Sequence, residues 1–385
     1  LETLSILFRE SGFQGLMWSN LVMFAVGGLL IYLAIRKNYE PLLLIPIGFG
    51  AFLANLPGTL LAVSDSYVPA VGGSAPPLLQ LVYDAGIRTE FLPPVIFLGV
   101  GALTDFRPLL SRPITFLLGA AAQLGVFVAA MGANQLLGFA PGEAASIGII
   151  GGADGPTTIY LTSILAPHLL GPVAVAAYSY MSLVPILQPP VLRLLTTRAE
   201  RAIDMPQAKP VSQAAVIAFP IATAAVAALA VPSCGPLVGM LMFGNLLRES
   251  GVTERLSRAA GGTIIDVATI FLGITIGATM DGPSFLRPQT LAILVLGAVA
   301  FAFSTAGGVV LAKALNLVLP RSRRLNPCIG AAGVSAVPMA SRVVQDFVSG
   351  ETNGRVNPLM AAMGPNVAGV IGTAVAAGVF LLLLR

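Results

Sequence analysis

The chain has 385 residues, 56% of them hydrophobic and only 10% charged, with a mean hydropathy of +0.88. Soluble domains carry about 25% charged residues, so this composition excludes a soluble enzyme and points to one all-α, polytopic membrane domain over 1–385. The net charge of +4 is small, and the basic residues fall in short loops, a pattern of membrane orientation and not of nucleic-acid binding. Cys234 and Cys328 form no CxxC pair and His168 is the single histidine, so neither a zinc site, a disulfide framework nor a histidine-based triad is expected.

The segment 1–17 reads as an interfacial helix or the start of the first span. Residues 18–35 are the first clear span, followed at once by Arg36 and Lys37 on the inside. The uncharged run 41–64 is long enough to cross again, and 65–90 reads as an outer loop. A short apolar segment, 91–104, leads to Arg107 and Arg112 on the inside. The charge-free stretch 113–142 returns outward.

Next comes 147–167, IGIIGGADGPTTIYLTSILAP. It is apolar enough for a membrane, yet Gly151, Gly152, Gly155 and Pro156 weaken a helix at its centre. Broken backbone at membrane depth is tolerated only where protein or a wet cavity surrounds it. An ionisable group there, Asp154, marks a functional-site candidate; the competing reading is a kinked helix with a structural Asp. Charge parity separates two topologies. If this stretch crossed fully, the basic loop with Arg193, Arg198, Arg201 and Lys209 would fall outside. A re-entrant hairpin turning at GGADGP puts that loop inside, as the positive-inside rule asks.

Beyond it, 212–247 is divided by Pro232 and Pro236, and Arg248, Arg255 and Arg258 form another inner loop. The spans 261–280 and 289–319 follow, then Arg321, Arg323 and Arg324 inside. A second Gly/Pro-interrupted stretch, 326–342, reads NPCIGAAGVSAVPMASR, and 356–384 is the last span. The total is about nine to eleven membrane segments by the usual length requirement.

IFLGVGALTD (96–105) and IFLGITIGATMD (270–281) share a tetrad and a Gly-Ala-x-x-Asp ending. Each is followed by a long span, a broken stretch and another span. By the charge rule the two copies, 91–192 and 266–384, run in opposite senses across linking elements at 193–258. That is the inverted-repeat design of many secondary transporters, in which broken stretches meet near the midplane. Here Asp154 would approach Asn326, Ser335 and the Gly330 to Gly333 backbone. Those are oxygen ligands with one formal negative charge, suited to a small hard cation such as Na⁺. Asp105, Asp266 and Asp281 lie nearer span ends and are not expected to be ligands.

GGADGPT, NPxIGxAGVSAVPMAxR and AMGPNVAGVIG (362–372) together resemble the membrane beta subunit of the sodium-pumping biotin-dependent decarboxylases. That family includes the oxaloacetate, methylmalonyl-CoA, glutaconyl-CoA and malonate enzymes. EPLLLIPIGFG, GALTDFRPLL, AVAAYSYMSLVPILQPP and MFGNLLRESGVTERL extend the resemblance over nearly the whole chain. It implies a subunit of a bacterial or archaeal plasma membrane that decarboxylates carboxybiotin and couples CO₂ release and proton uptake to Na⁺ export. The implied partners are a biotin carrier and carboxyltransferase subunit, a small one-span gamma subunit and further copies of the chain. The family's functional positions fall on Asp154, Tyr180, Asn326, Gly330, Ser335, Arg342 and Asn366. Asp154, Asn326, Gly330, Ser335 and Asn366 are then Na⁺ ligands. Arg342 and Asn326 hold carboxybiotin, and Tyr180, Arg342 and Asp154 serve the chemistry. Departures are Ala361, often His in relatives, and Ala331, often Ser. Physics alone leaves a plain Na⁺-coupled symporter or Na⁺/H⁺ antiporter as the alternative.

Overall fold

The computed structural model describes residues 11–59, 61, 63, 76–205 and 210–385. Most of the expected interfacial segment (1–10), the outer-loop residues 64–75 and Lys209 lie outside the described residues. In chain order the helices are α1 (Trp18–Lys37), α2 (Pro41–Ala54), α3 (Leu78–Tyr83), α4 (Leu92–Leu103) and α5 (Thr115–Leu137). Then follow α6 (Pro141–Gly148), α7 (Gly155–Leu165), α8 (Leu170–Leu195), α9 (Gln213–Ala230) and α10 (Gly235–Glu249). The last four are α11 (Glu254–Ala278), α12 (Pro288–Val318), α13 (Met339–Glu351) and α14 (Leu359–Leu384). All regular elements among the described residues are helical. Among the described residues seven helices are long and apolar enough to cross a membrane, and Leu78–Arg88 with α4, bent by 65°, adds an eighth if the pair forms one span.

Two expectations need correction. The run 41–64 is not one continuous crossing, because α2 stops at Ala54. The Asn55 amide donates to Ala51 O (2.8 Å) and Met280 O (2.7 Å), and its Oδ1 accepts from Gly282 N (2.9 Å). That cap, with Pro57 and Gly58 behind it, ends the helix. Nor is 65–90 all loop: Leu78–Arg88 is helical and bends into α4 at Glu90, whose φ is +61°.

The repeated Gly-Ala-x-x-Asp ending marks a repeated packing unit. A Cβ at Gly277 would lie 2.1 Å from Ile47 O, and one at Gly50 2.1 Å from Ile274 O, so α2 and α11 cross in backbone contact. The same reciprocal crossing joins α4 to α10, through Gly101 against Leu241 O and Gly244 against Leu98 O, each at 1.9 Å. Small residues permit such close helix approach. The caps match as well: Asn55 bonds Met280 O, and Asn245 bonds Thr104 O at 2.9 Å, each carbonyl preceding the motif aspartate. Arg107 grips Glu249 through two bonds, at 2.5 and 3.2 Å, beside the cap of the second unit.

Both broken stretches are hairpins. In the first, Glu143 near the start of α6 bonds His168, just past α7, at 2.8 Å. A Cβ at Gly142 would sit 2.9 Å from Leu165 O, so the two arms leave from one face. An eight-residue α6 rises about 12 Å and an eleven-residue α7 about 16 Å, near half of a hydrocarbon core of about 30 Å. In the second hairpin, Arg201 ties the base. Its carbonyl accepts from the Asn326 amide (2.9 Å), and its guanidinium pairs with Glu351 (2.9 Å) at the end of α13. The helical arm of this hairpin runs on past Arg342 to Glu351. In a chain lacking Cys234 and Cys328, Glu143→Cys and His168→Cys should both react with a membrane-impermeant thiol reagent from the same side. Labelling from opposite sides would make 147–167 a crossing.

Candidate functional site

The tip of the first hairpin is built by its punctuating residues. After the tight turn Ile149–Gly152, Ala153 takes a left-handed conformation (φ +53°) and Asp154 is extended, capping α7. The Asp154 Oδ1 accepts from Thr157 N at 3.0 Å. Pro156 fits the first turn of α7, where its missing N–H would have no helical partner. The positive end of α7 therefore faces a carboxylate.

The second hairpin supplies the opposing tip. Its first arm is the 3₁₀ segment Pro327–Gly333, and Val334 is extended beyond it. Ser335 then meets the first hairpin through two bonds. Its N–H donates to Gly152 O at 2.8 Å, and its hydroxyl donates to Asp154 Oδ2 at 2.6 Å. Asn366 on α14 fixes this tip from behind by donating to Val334 O at 2.7 Å, while its buried Oδ1 has no partner among the described residues. Two tips and one carboxylate thus share a buried junction, with the unpaired amide oxygen of Asn366 behind the second tip.

Asp154 is 6% exposed, and among the described residues no basic side chain pairs with it. A buried carboxylate without a cationic partner calls for a proton or a small cation. The surrounding oxygens suit an alkali ion, whereas no group of three His, Cys, Asp or Glu that could hold a transition metal occurs among the described residues.

Not every expected residue reaches this junction. Asn326 sits at the far base of the second hairpin, with its amide bonded to Arg201 O and Ile203 O and its Oδ1 to Cys328 N. Seven 3₁₀ residues rise about 14 Å between it and the tip, so the structure does not bring Asn326 to Asp154. Gly330 lies midway along that arm, where its backbone abuts Gly308 of α12. Arg342 is exposed on α13, seven residues past Ser335. Tyr180 points toward α12: its hydroxyl donates to Leu294 O, and its ring covers Gly297.

The tyrosine that covers the Asp154 turn is Tyr178. A Cβ at Gly155 would lie 2.0 Å from its Cε1 and 2.6 Å from its hydroxyl oxygen. Residues two apart on a helix face different sides: Tyr178 covers the turn at Gly155, whereas Tyr180 packs in a cluster with Ile147 and Ile150 lower on the same hairpin. Both look alike in an apolar run, and the single signal that could have singled out Tyr178 is a bare glycine opposite an aromatic ring.

A family model described as Na⁺-transporting oxaloacetate decarboxylase beta subunit matches residues 19–384. The chain belongs to this family. Among relatives of this beta subunit, a methylmalonyl-CoA decarboxylase subunit beta of Veillonella parvula is 53% identical, covering 98% of this chain and 96% of the relative. A glutaconyl-CoA decarboxylase subunit beta of Acidaminococcus fermentans is 52% identical with the same coverage. A probable oxaloacetate decarboxylase beta chain of Vibrio cholerae is 48% identical over 99% of both chains. The beta subunit is a multi-pass membrane protein of a family that works within multi-subunit decarboxylase complexes.

Proposed function

We propose that this beta subunit releases CO₂ from carboxybiotin presented by a carrier subunit and couples that step, with uptake of one proton by biotin, to Na⁺ export. The observation that carries the reading is the junction of two half-membrane hairpins at a buried Asp154, in a chain matched end to end by Na⁺-transporting decarboxylase subunits. Asp154, Ser335 and Asn366 are its proposed Na⁺ ligands. Na⁺ is cargo here, so each ligand must hold the ion and later release it. Gly330 supports the tip, and Asn326 locks the base of the second hairpin.

Arg342 is the proposed contact for the carboxylate of carboxybiotin, exposed on the hairpin arm that opens toward the basic inner face. Carboxylates lose CO₂ more readily once stripped of water, so an apolar berth for carboxybiotin beside Arg342 would favour the reaction. Tyr180 is proposed to serve proton delivery to biotin. A biotin carrier and carboxyltransferase subunit, a one-span gamma subunit and further beta copies complete the proposed assembly. The two matched crossings suggest halves of opposite sense that extend the repeat to α1–α8 and α9–α14. Moving one charge against 100 mV takes about 2.3 kcal/mol, which decarboxylation supplies if carboxybiotin occupancy decides which side the junction opens to.

The deciding experiment measures CO₂ release from free carboxybiotin by the membrane complex across a Na⁺ titration. Wild type should respond to Na⁺. Ser335→Ala and Asn366→Ala should each raise the half-saturating Na⁺ concentration about ten-fold, as loss of a ligand to a charged group implies. Na⁺ exchange without CO₂ release would instead make the chain a plain transporter.

A further inference from the structure

Tyr178 is fully buried, and its hydroxyl is unpartnered among the described residues. It packs in a cluster with Leu44 and Ile47 of α2, Leu272 and Ile276 of α11, and Ile159 of α7. A buried hydroxyl left unpaired carries a real penalty, and native structures rarely keep one without a reason. This hydroxyl lies over Gly155, the residue after Asp154. Charged groups around Tyr178 include Asp154, the residue before the glycine it covers, and Glu40 at the head of α2. The stretch of α11 against it, 267–278, carries no titratable residue.

Asp154 is meanwhile held by Ser335 from the opposite hairpin. Resting on the Na⁺-site reading above, we propose that Tyr178 is a positioning residue whose hydroxyl takes the Asp154 carboxylate when Ser335 and Na⁺ give it up. The arrangement described here leaves one donor idle. Rotation of Asp154 toward the ring that covers Gly155, or a shift of the first hairpin along α8, would employ it. The carboxylate then has two mutually exclusive settings. One is shared with the second hairpin and Na⁺, and the other is tied to α8. A donor that competes with the ion weakens Na⁺ binding and speeds Na⁺ release.

That logic gives Tyr178→Phe an unusual signature. The ring stays, so packing against Gly155 is kept, and the lost hydroxyl had no partner here. The half-saturating Na⁺ concentration should fall about ten-fold and kcat should fall with it, because release becomes slower. A merely structural role would lower kcat or stability without tightening Na⁺. The test uses the purified decarboxylase complex, with Na⁺-dependent thermal stabilisation read against choline as the binding measure, and steady-state CO₂ release as the second. Tighter Na⁺ binding with slower turnover supports the proposal. Unchanged or weaker Na⁺ binding in Tyr178→Phe, with normal Na⁺ stabilisation of wild type, overturns it and leaves the Na⁺ site standing. Absence of Na⁺ stabilisation in wild type overturns both.

Discussion

Asp154→Asn should abolish Na⁺-dependent CO₂ release and Na⁺ uptake into vesicles while leaving the complex folded. The side chain has two separable tasks. As the cap of α7 it accepts from Thr157 N, and Asn caps a helix about as well as Asp. As the charged member of the junction it has no substitute, because no other acid among the described residues bonds to either hairpin tip. The Ser335 hydroxyl can still bond an amide oxygen, so the junction itself should survive. A neutral group cannot offset the cost of desolvating a cation, and the half-saturating Na⁺ concentration should rise at least about a hundred-fold, the scale of losing a buried charge partner. The melting temperature should stay near that of wild type at low Na⁺, and its rise with added Na⁺ should disappear. Na⁺ stabilisation retained in Asp154→Asn would move the ion elsewhere. Asp154→Ala is the companion variant: it also removes the cap, about 1 kcal/mol, and should melt lower at every Na⁺ concentration.

The sequence announces the breaks but not the directions in which side chains point. Gly151, Gly152, Gly155 and Pro156 cannot continue a helix, and basic loops on one side require that stretch to turn back, so the first hairpin is readable before any coordinates. The Gly-Ala-x-x-Asp endings are readable too, although their meaning, a glycine pressed on a neighbour's carbonyl, emerges only from packing. Asn326 shows the limit. Its motif places it beside the ion ligands in sequence, yet a 3₁₀ arm separates it from them, and its amide is spent on Arg201 O and Ile203 O. Tyr178 and Tyr180 show another. The flanking α8 sequence is apolar on both faces, so periodicity does not reveal which ring covers the Asp154 turn. The end of α2 escaped a length rule because a side-chain cap made with a residue 225 positions away decides it.

Gly330→Ala separates a glycine that binds from a glycine that packs. A Cβ at Gly330 would lie 2.1 Å from Gly308 O, and one at Gly308 2.0 Å from Gly330 O, so the two backbones touch with no side chain between them. An added methyl needs roughly 1 Å or more of extra space to reach ordinary contact. Both partners are backbone and cannot turn aside. Overpacking of this kind costs about 1–3 kcal/mol, and the 3₁₀ arm, held by Asn326 at its base, can relieve it only by moving its tip. That tip carries Ser335, whose hydroxyl is 2.6 Å from Asp154, and a misplacement of about 1 Å in a preorganised site can reduce function about a hundred-fold. Gly330→Ala should therefore lower both the melting temperature and the affinity for Na⁺, although alanine keeps the carbonyl a ligand role would need. Gly28→Ala on α1 is the matched control: nothing lies within 4 Å of its Cβ, so it should be neutral or gain up to about 1 kcal/mol from better helix propensity. Unchanged stability with weakened Na⁺ binding in Gly330→Ala would instead make Gly330 part of the ion site, and the hairpin would have to bend farther toward Asp154 than its contacts with α12 now permit.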